Sequence, residues 1–308
     1  MSATIANGLG EEPGGLPLER IPGYLIRCAQ QIHNALWSTH VPGEVTSPQY
    51  AVLATLAAQP DLSQGRLGEL ASLDKSSVAD VVGRLVDRRW VARTRDPFDA
   101  RRHRLCLAGE STAALQRLTP DAVRVQERFL APLPARERPL FIERLRCIGR
   151  FEHKRAAARP PTAAPVLDLE VPGHLIRCAQ QVHTAIWLRT FGTELTGPQY
   201  AILHVLATRP DFSQRALGDL TALDKSTVAD LVDRLYRRGW VQRVRDPADG
   251  RSKLLRLGDT AMQSMSRFAA GMIAVQRELV APLRPESRDP FITQLATVAF
   301  VGSVPTDR

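Results

Sequence analysis

Sliding the 308-residue chain against itself by 150 positions lays one half on the other without a gap. IPGYLIRCAQQIH from Ile21 returns as VPGHLIRCAQQVH from Val171, and LDKSSVAD from Leu73 returns as LDKSTVAD from Leu223. RDPFDAR from Arg95 returns as RDPADGR from Arg245, and FLAPL at Phe129 still matches LVAPL at Leu279. Roughly half the positions from 21 to 110 are identical to their counterparts. Solenoid repeats have periods of about 20–50 residues, so this offset marks a duplicated domain of about 130 residues. Whatever the first copy folds into, the second must fold into again.

The expected organisation is a tail over 1–19, a first domain over 20–151, a linker over 152–170, a second domain over 171–302 and a tail over 303–308. The Ala/Pro-rich linker reads as a semi-extended tether. Its roughly 18 residues reach up to about 60 Å when stretched, so the copies can pack side by side. An apolar content of 44% suffices for real cores, and 41 Lys+Arg against 32 Asp+Glu leave a net charge of +9. Such an excess attracts a polyanion. No stretch approaches the roughly 20 apolar residues of a membrane span. The opening MSATIANGLGEEPGG has neither the basic nor the apolar region of a secretion signal, and the four cysteines form no CxxC. A reducing, cytoplasmic setting is expected.

Within the first copy, Leu25, Cys28, Ala29, Ile32 and Leu36 recur at helical spacing as one buried stripe. Ser47-Pro48 reads as an N-cap and first helical proline, opening a second helix through Ala58. Ser63 caps a short third helix with Leu67 and Leu70 inward. Asp74 caps a fourth, with Val78, Val81, Val82 and Leu85 inward. Residues 90–93 and 104–107 read as strands flanking a charged hairpin tip, and two helices follow over about 109–131 and 134–151. Helices three and four, joined by a tight turn, have helix-turn-helix spacing, and the hairpin stands as a wing.

The run LGELASLDKSSVADVVGRLVDRRWVARTRDPFDARRHRLCLA resembles the core of MarR-type transcriptional regulators. The likeness lies in Arg84-Leu85…Trp90-Val91-Ala92-Arg93 with Asp99-x-Arg101, and in Arg234-Leu235…Trp240-Val241-Gln242-Arg243 with Asp249-x-Arg251. PQYAVL and VQERFLAPL resemble the family's dimerisation helices. The resemblance spans both copies. It implies a mainly α fold with small β wings, in which two tandem winged helix-turn-helix domains and helical dimerisation elements form an intramolecular pseudo-dimer. Family members are usually homodimers of one such domain, so the fused chain is expected to act as a monomer, with a higher oligomer still open.

Double-stranded DNA is the expected partner. Recognition helices enter the major groove by their N-terminal ends. Lys75, Ser76 and Ser77, and Lys225, Ser226 and Thr227, stand there, with free N–H groups and the helix dipole favouring a phosphate. Ser76 and Ser226 are read as phosphate donors, Ser77 and Thr227 as base contacts. Arg101, Arg102 and Arg251 at the wing tips suit a flanking minor groove. Asp74 is a helix cap whatever else it does, and Arg84 and Arg234 read better as ion-paired scaffold than as base readers. The near-identical helix heads predict a nearly palindromic operator with half-sites about one turn apart.

Gln30, His33 and Trp37 lie on the flank of the first helix's stripe, and Gln180, His183 and Trp187 repeat them, with Tyr50 and Tyr200 on the second helices. An apolar wall with polar tips suits a small aromatic effector. The resemblance implies a pocket of this kind for aromatic acids. Arg27 and Arg177 could balance a carboxylate but lie further round the helix. Simple packing of His and Trp beside a buried stripe is the competing reading. Cys28 and Cys178 fall on the stripe, where thiols are inert. No cofactor or metal is expected, since the seven histidines show no HExxH. No phosphate-cradling glycine loop or GxSxG supports an enzyme. The leading reading is a repressor released by an aromatic or phenolic-acid effector; the alternative is an effector-independent architectural DNA binder.

Overall fold

The computed structural model describes residues 16–41, 43, 45–95, 103–150, 170–208, 211–246 and 253–300. They form two compact units, each drawing on both copies. The first-copy unit combines Ile26–Val182 with the segment from Thr293; the second-copy unit combines the segment through Leu25 with His183–Ile292.

In the first-copy unit, helix α1 (Pro22–His40, entering at Ile26) leads to α2 (Ser47–Ala58). Helix α2 buries nearly all of its first ten residues and packs on its neighbours from every side, as a helix apolar all round must. Its cap is Thr46, one residue earlier than the sequence reading placed it. Thr46 Oγ1 accepts from Gln49 N while Gln49 Oε1 accepts from Thr46 N at 2.8 Å. This reciprocal capping box fills two end donors at once, which Ser47 could not do. Ser47 is thereby released for another role.

A two-residue strand β1 (Leu62–Ser63) precedes α3 (Gln64–Ala71), and Ser63 caps α3 as expected by accepting from Arg66 N. Ser72 turns the chain at φ 52°, and Leu73 N closes on Gly68 O at 2.9 Å. Helix α4 (Lys75–Asp87) follows, then strands β2 (Val91–Arg95) and β3 (His103–Leu107), which pair from Val91↔Leu107 to Arg95↔His103. Strand β1 adds to β3 through Leu62↔Leu105, so the wing is a three-stranded sheet of order β1-β3-β2. Two residues are too few to display a period of two, which is why the sequence hides β1.

Helix α5 (Ser111–Leu130) is shorter than expected, and a 3-10 turn (Ala135–Glu137) replaces the start of the next helix, α6 (Arg138–Ile148). Pro134 opens that turn and Pro139 sits in the first turn of α6, each lacking an amide donor. Leu53 and Leu56 of α2, Leu67 of α3, Leu85 of α4 and Leu105 of β3 are fully buried in one core. At about 1.5–3 kcal/mol each, these side chains hold the helix-turn-helix against α2 and the wing.

The second-copy unit repeats the order with α7 (Pro172–Phe191, from His183), α8 (Gly197–Thr208), β4 (Phe212–Ser213), α9 (Gln214–Thr221), α10 (Lys225–Arg237), β5 (Val241–Arg245), β6 (Lys253–Leu257), α11 (Asp259–Val280) and α12 (Pro285–Ala299, to Ile292). Its sheet has the same topology, β4-β6-β5.

Candidate DNA interface and effector site

At the head of α4 the Asp74 carboxylate gathers four hydrogen bonds. Oδ1 accepts from Ser76 N at 3.0 Å and Ser77 N at 2.8 Å. Ser76 Oγ donates to Oδ1 at 2.6 Å and Ser77 Oγ to Oδ2 at 2.7 Å. Those bonds, the Ser76 hydroxyl first, hold the Asp74 carboxyl down at about 2. Asp224 repeats the arrangement with Thr227 N at 2.9 Å, Ser226 Oγ at 2.5 Å and Thr227 Oγ1 at 2.5 Å, and its carboxyl is likewise depressed. Of the N–H groups that the sequence reading left free for a phosphate, those of Ser76, Ser77 and Thr227 are therefore occupied by the cap. The hydroxyls of Ser76, Ser77, Ser226 and Thr227 have already given away their protons.

Lys75, Ser76, Lys225 and Ser226 are exposed, and Ser77 and Thr227 are half-buried at the same helix heads. Arg84 is held by Asp80, with Nε–Oδ1 and Nη2–Oδ2 both 3.1 Å, and Arg234 by Asp230 at 3.2 and 2.8 Å. Both arginines are thus ion-paired. Arg88 lies over Trp90 at 4.2 Å and Arg238 over Trp240 at 3.6 Å, bracing the base of each wing. Arg101, Arg102 and Arg251 lie outside the described residues. One asymmetry escaped the sequence reading. In the second wing Arg256 grips Asp211 through two hydrogen bonds, whereas Cys106 is its counterpart in the first.

On α1 the deeper burial shifts round the helix after Ala29. Ile32 and Leu36 of the expected stripe are half-buried, while His33 and Trp37 are 1% and 4% exposed. His33, Trp37 and Tyr50 come together, with ring centroids 6.1 Å apart for His33–Trp37 and 5.3 Å for Trp37–Tyr50. Tyr50 Oη meets Thr119 Oγ1 at 2.9 Å, and Gln30 turns instead to Asn34 Oδ1 at 3.0 Å. Beside this group opens a cavity of about 590 Å³. Asn34, Trp37 and Ser38 of α1, the start of α2 at Ser47, and Arg84 and Arg88 at the far end of α4 form its walls.

Ser47 Oγ accepts from Arg177 Nη2 at 3.3 Å, and among the described residues Arg177 Nε and Nη1 are buried without a hydrogen-bond partner. Burial pushes the Arg177 guanidinium down to about 10. Burial first, and the Arg177 charge second, push the His33 imidazole down to about 3; the Asn34 side chain favours the charged ring but is outweighed. The sequence reading set Arg177 aside because it lies further round the helix; its partner Ser47 is 130 residues away, and nothing local links the two.

In the second-copy unit His183, Trp187 and Tyr200 also cluster, with centroids 5.7 Å apart for His183–Trp187 and 5.8 Å for Trp187–Tyr200. Gln180 belongs to the first-copy unit. Among the described residues Tyr200 Oη is buried without a hydrogen-bond partner, because Ala269 stands where the first copy has Thr119, and burial pushes its phenol up to about 12.

Two helices joined by a tight turn and followed by a β-hairpin, all twice over, with lysine and hydroxyls at each second helix's head, define a winged helix-turn-helix DNA-binding protein. The MarR family model matches residues 44–102 and 193–252. The chain belongs to the MarR family of transcriptional regulators, as two tandem copies. It is 35% identical over 121 residues to the transcriptional regulator HosA of Escherichia coli O111:H-, a match covering 39% of this chain and 89% of that one. It is 35% identical over 106 residues to the HTH-type transcriptional repressor NicR of Pseudomonas putida, covering 32% of this chain and 67% of that one. Among solved structures, the PcaV regulator of Streptomyces coelicolor in complex with its natural ligand matches with 39% identity and a TM-score of 0.41, covering 42% of this chain and 93% of that one. Among the described residues no helix is long and apolar enough to cross a membrane.

Proposed function

We propose that this regulator is a single-chain repressor that binds a nearly palindromic operator as an intramolecular pseudo-dimer and is released by a small aromatic acid. The observation that carries the reading is the buried Arg177 guanidinium, with two donors unpartnered among the described residues, held by Ser47, which itself lines a cavity whose other wall is α4. A buried cation without a counter-charge is costly, and a carboxylate supplies the missing acceptors. The aromatic ring of such an acid would lie against Trp37. Because Arg84 and Arg88 share the cavity, its filling bears directly on the recognition helix. Coupling of about 1–3 kcal/mol, roughly 5–150-fold in affinity, is ordinary for such regulators. The repressor NicR among the relatives supports the direction of control.

At the DNA, Lys75 and Lys225 are read as phosphate contacts. The hydroxyls of Ser76, Ser77, Ser226 and Thr227, with their protons committed to aspartate, meet bases as acceptors and suit the exocyclic amino groups of adenine and cytosine. Arg101, Arg102 and Arg251 are assigned to the flanking minor groove. The test is fluorescence anisotropy with the DNA upstream of the chain's own gene, in excess competitor, followed by addition of benzoate-class acids. Saturation at one chain per site and release by an acid are expected. Equal loss to competitor would instead indicate an architectural binder without a preferred sequence.

A further inference from the structure

The backbone N–H of Gly173 donates to Gln126 Oε1 at 2.9 Å. A backbone N–H can only donate, so the Gln126 amide is oriented with its oxygen on Gly173. Its NH₂ then faces His33 Nε2 at 3.2 Å. An amide NH₂ also only donates, so Nε2 must accept, and the ring proton must reside on Nδ1. The second-copy unit repeats each step: Gly23 N donates to Gln276 Oε1 at 2.8 Å, and Gln276 Nε2 lies 3.4 Å from His183 Nε2. Each glycine is needed for the approach. A Cβ on Gly173 would stand 1.9 Å from His33 Nε2, and one on Gly23 2.2 Å from His183 Nε2. Gln126 and Gln276 are themselves 8% and 1% exposed, so water does not compete for their amides.

We propose that Gln126 and Gln276 are positioning residues that set the tautomer of His33 and His183 as neutral Nδ1–H, so that His33, behind the cavity wall formed by Asn34 and Trp37, holds a ring donor and an effector that reaches it must carry an acceptor. The tautomer half stands on the hydrogen-bond chain alone; the ligand half rests on the effector reading above. In the first-copy unit His33 Nδ1 is buried, with the Asn34 side chain acting on the ring and no hydrogen bond of ordinary geometry, and among the described residues the Arg177 Nε and Nη1 donors are likewise unfilled. An acceptor-rich group such as a carboxylate satisfies this set, whereas an amine or ammonium would meet only donors.

The tautomer is read by long-range ¹⁵N–¹H NMR on the full chain labelled at histidine, with His33→Gln and His183→Gln to assign the two signals. Protonated Nδ1 and bare Nε2 are expected at both rings. Gln126→Glu replaces the facing NH₂ by a carboxylate oxygen, which requires a protonated Nε2, and should convert the His33 pattern while leaving His183 as it was. Gln126→Met removes the bond at nearly constant volume and should leave His33 as a tautomer mixture, so the test survives if the glutamate variant does not fold. A bare Nδ1 in the wild-type chain, or a His33 pattern unmoved by both variants, overturns the proposal. For the ligand half, benzoate-class acids should bind Gln126→Glu about tenfold more weakly. Unchanged affinity with a converted tautomer overturns that half. Expected tautomers in a wild-type chain indifferent to every acid support the tautomer half and sink the effector reading.

Discussion

The indole Nε1 of Trp37 donates to the backbone carbonyl of Val45 across 2.8 Å, and Trp187 repeats the bond on Leu195 at 2.6 Å. Each bond ties a first helix to the loop that leads into the second, and each ring is almost wholly buried. Trp37→Phe keeps much of the apolar area but leaves the Val45 carbonyl without this donor, at an expected cost of about 1–3 kcal/mol. Urea denaturation of the variant checks it. A loss of only a few tenths would mean that the loop finds another donor for Val45.

The same two tryptophans show where sequence reasoning stops. The duplication follows from the self-match at 150 positions, and the helix-turn-helix, both wing strands and the Ser63 and Asp74 caps follow from local patterns: periodicity, cap residues and turn residues within a few positions. The stripe on α1 was read correctly at Cys28 and Ala29 but not at Ile32 and Leu36, because Phe129 and Tyr50 bring aromatic partners to the His33–Trp37 side. Arg177 is the larger omission. Its meaning depends on Ser47, and Ser47 is available only because Thr46 rather than Ser47 caps α2. Such a relation joins a cap in one copy to a helix of the other, and no window of the sequence contains both.

The Asp74 cap gives a pH signature. Its folded carboxyl titrates at about 2, whereas an unfolded aspartate titrates near about 3.9. A depressed carboxyl stabilises the fold above the unfolded value, and the contribution is lost as pH falls through the folded one. Asp74→Ala should therefore cost about 1 kcal/mol near neutrality, as caps do. Its difference from wild type should shrink between about pH 4 and pH 2. Denaturant midpoints of the pair across that range test this, and a pH-independent difference would assign the loss to packing instead.

Lys75 and Lys225, exposed at the two recognition-helix heads, should act on DNA through charge rather than sequence. Each phosphate contact contributes about 0.9 to the slope of log K against log salt. Lys75→Met with Lys225→Met should lower that slope by about 1.8 and weaken all sequences alike. If discrimination between operator and competitor falls while the slope holds, the lysines read bases.

Gly173 admits His33 so closely that Gly173→Ala must displace the ring, and overpacking of this kind costs about 1–3 kcal/mol. His33→Ala makes room for the added methyl. The double variant should therefore lose less than the two single losses summed, by at least about 1 kcal/mol. Additive losses would place the strain of the alanine on the backbone rather than on the histidine.

Arg177 sets stability against response. Among the described residues its buried Nε and Nη1 lack partners and the Ser47 hydroxyl alone helps to satisfy the guanidinium, so the free chain carries a desolvated charge. Replacing a poorly compensated buried charge by an apolar side chain of similar length is commonly neutral or stabilising. Arg177→Met should leave the ligand-free chain unchanged or up to about 2 kcal/mol more stable. The same change removes the donors for an effector's carboxylate. An acid at 100 times its dissociation constant should stabilise wild type by about 2.7 kcal/mol and the variant by far less. Denaturation curves with and without the acid give both numbers from one set of samples. A variant that is destabilised when free yet still stabilised fully by the acid would show Arg177 to be a packing residue, with the carboxylate held elsewhere.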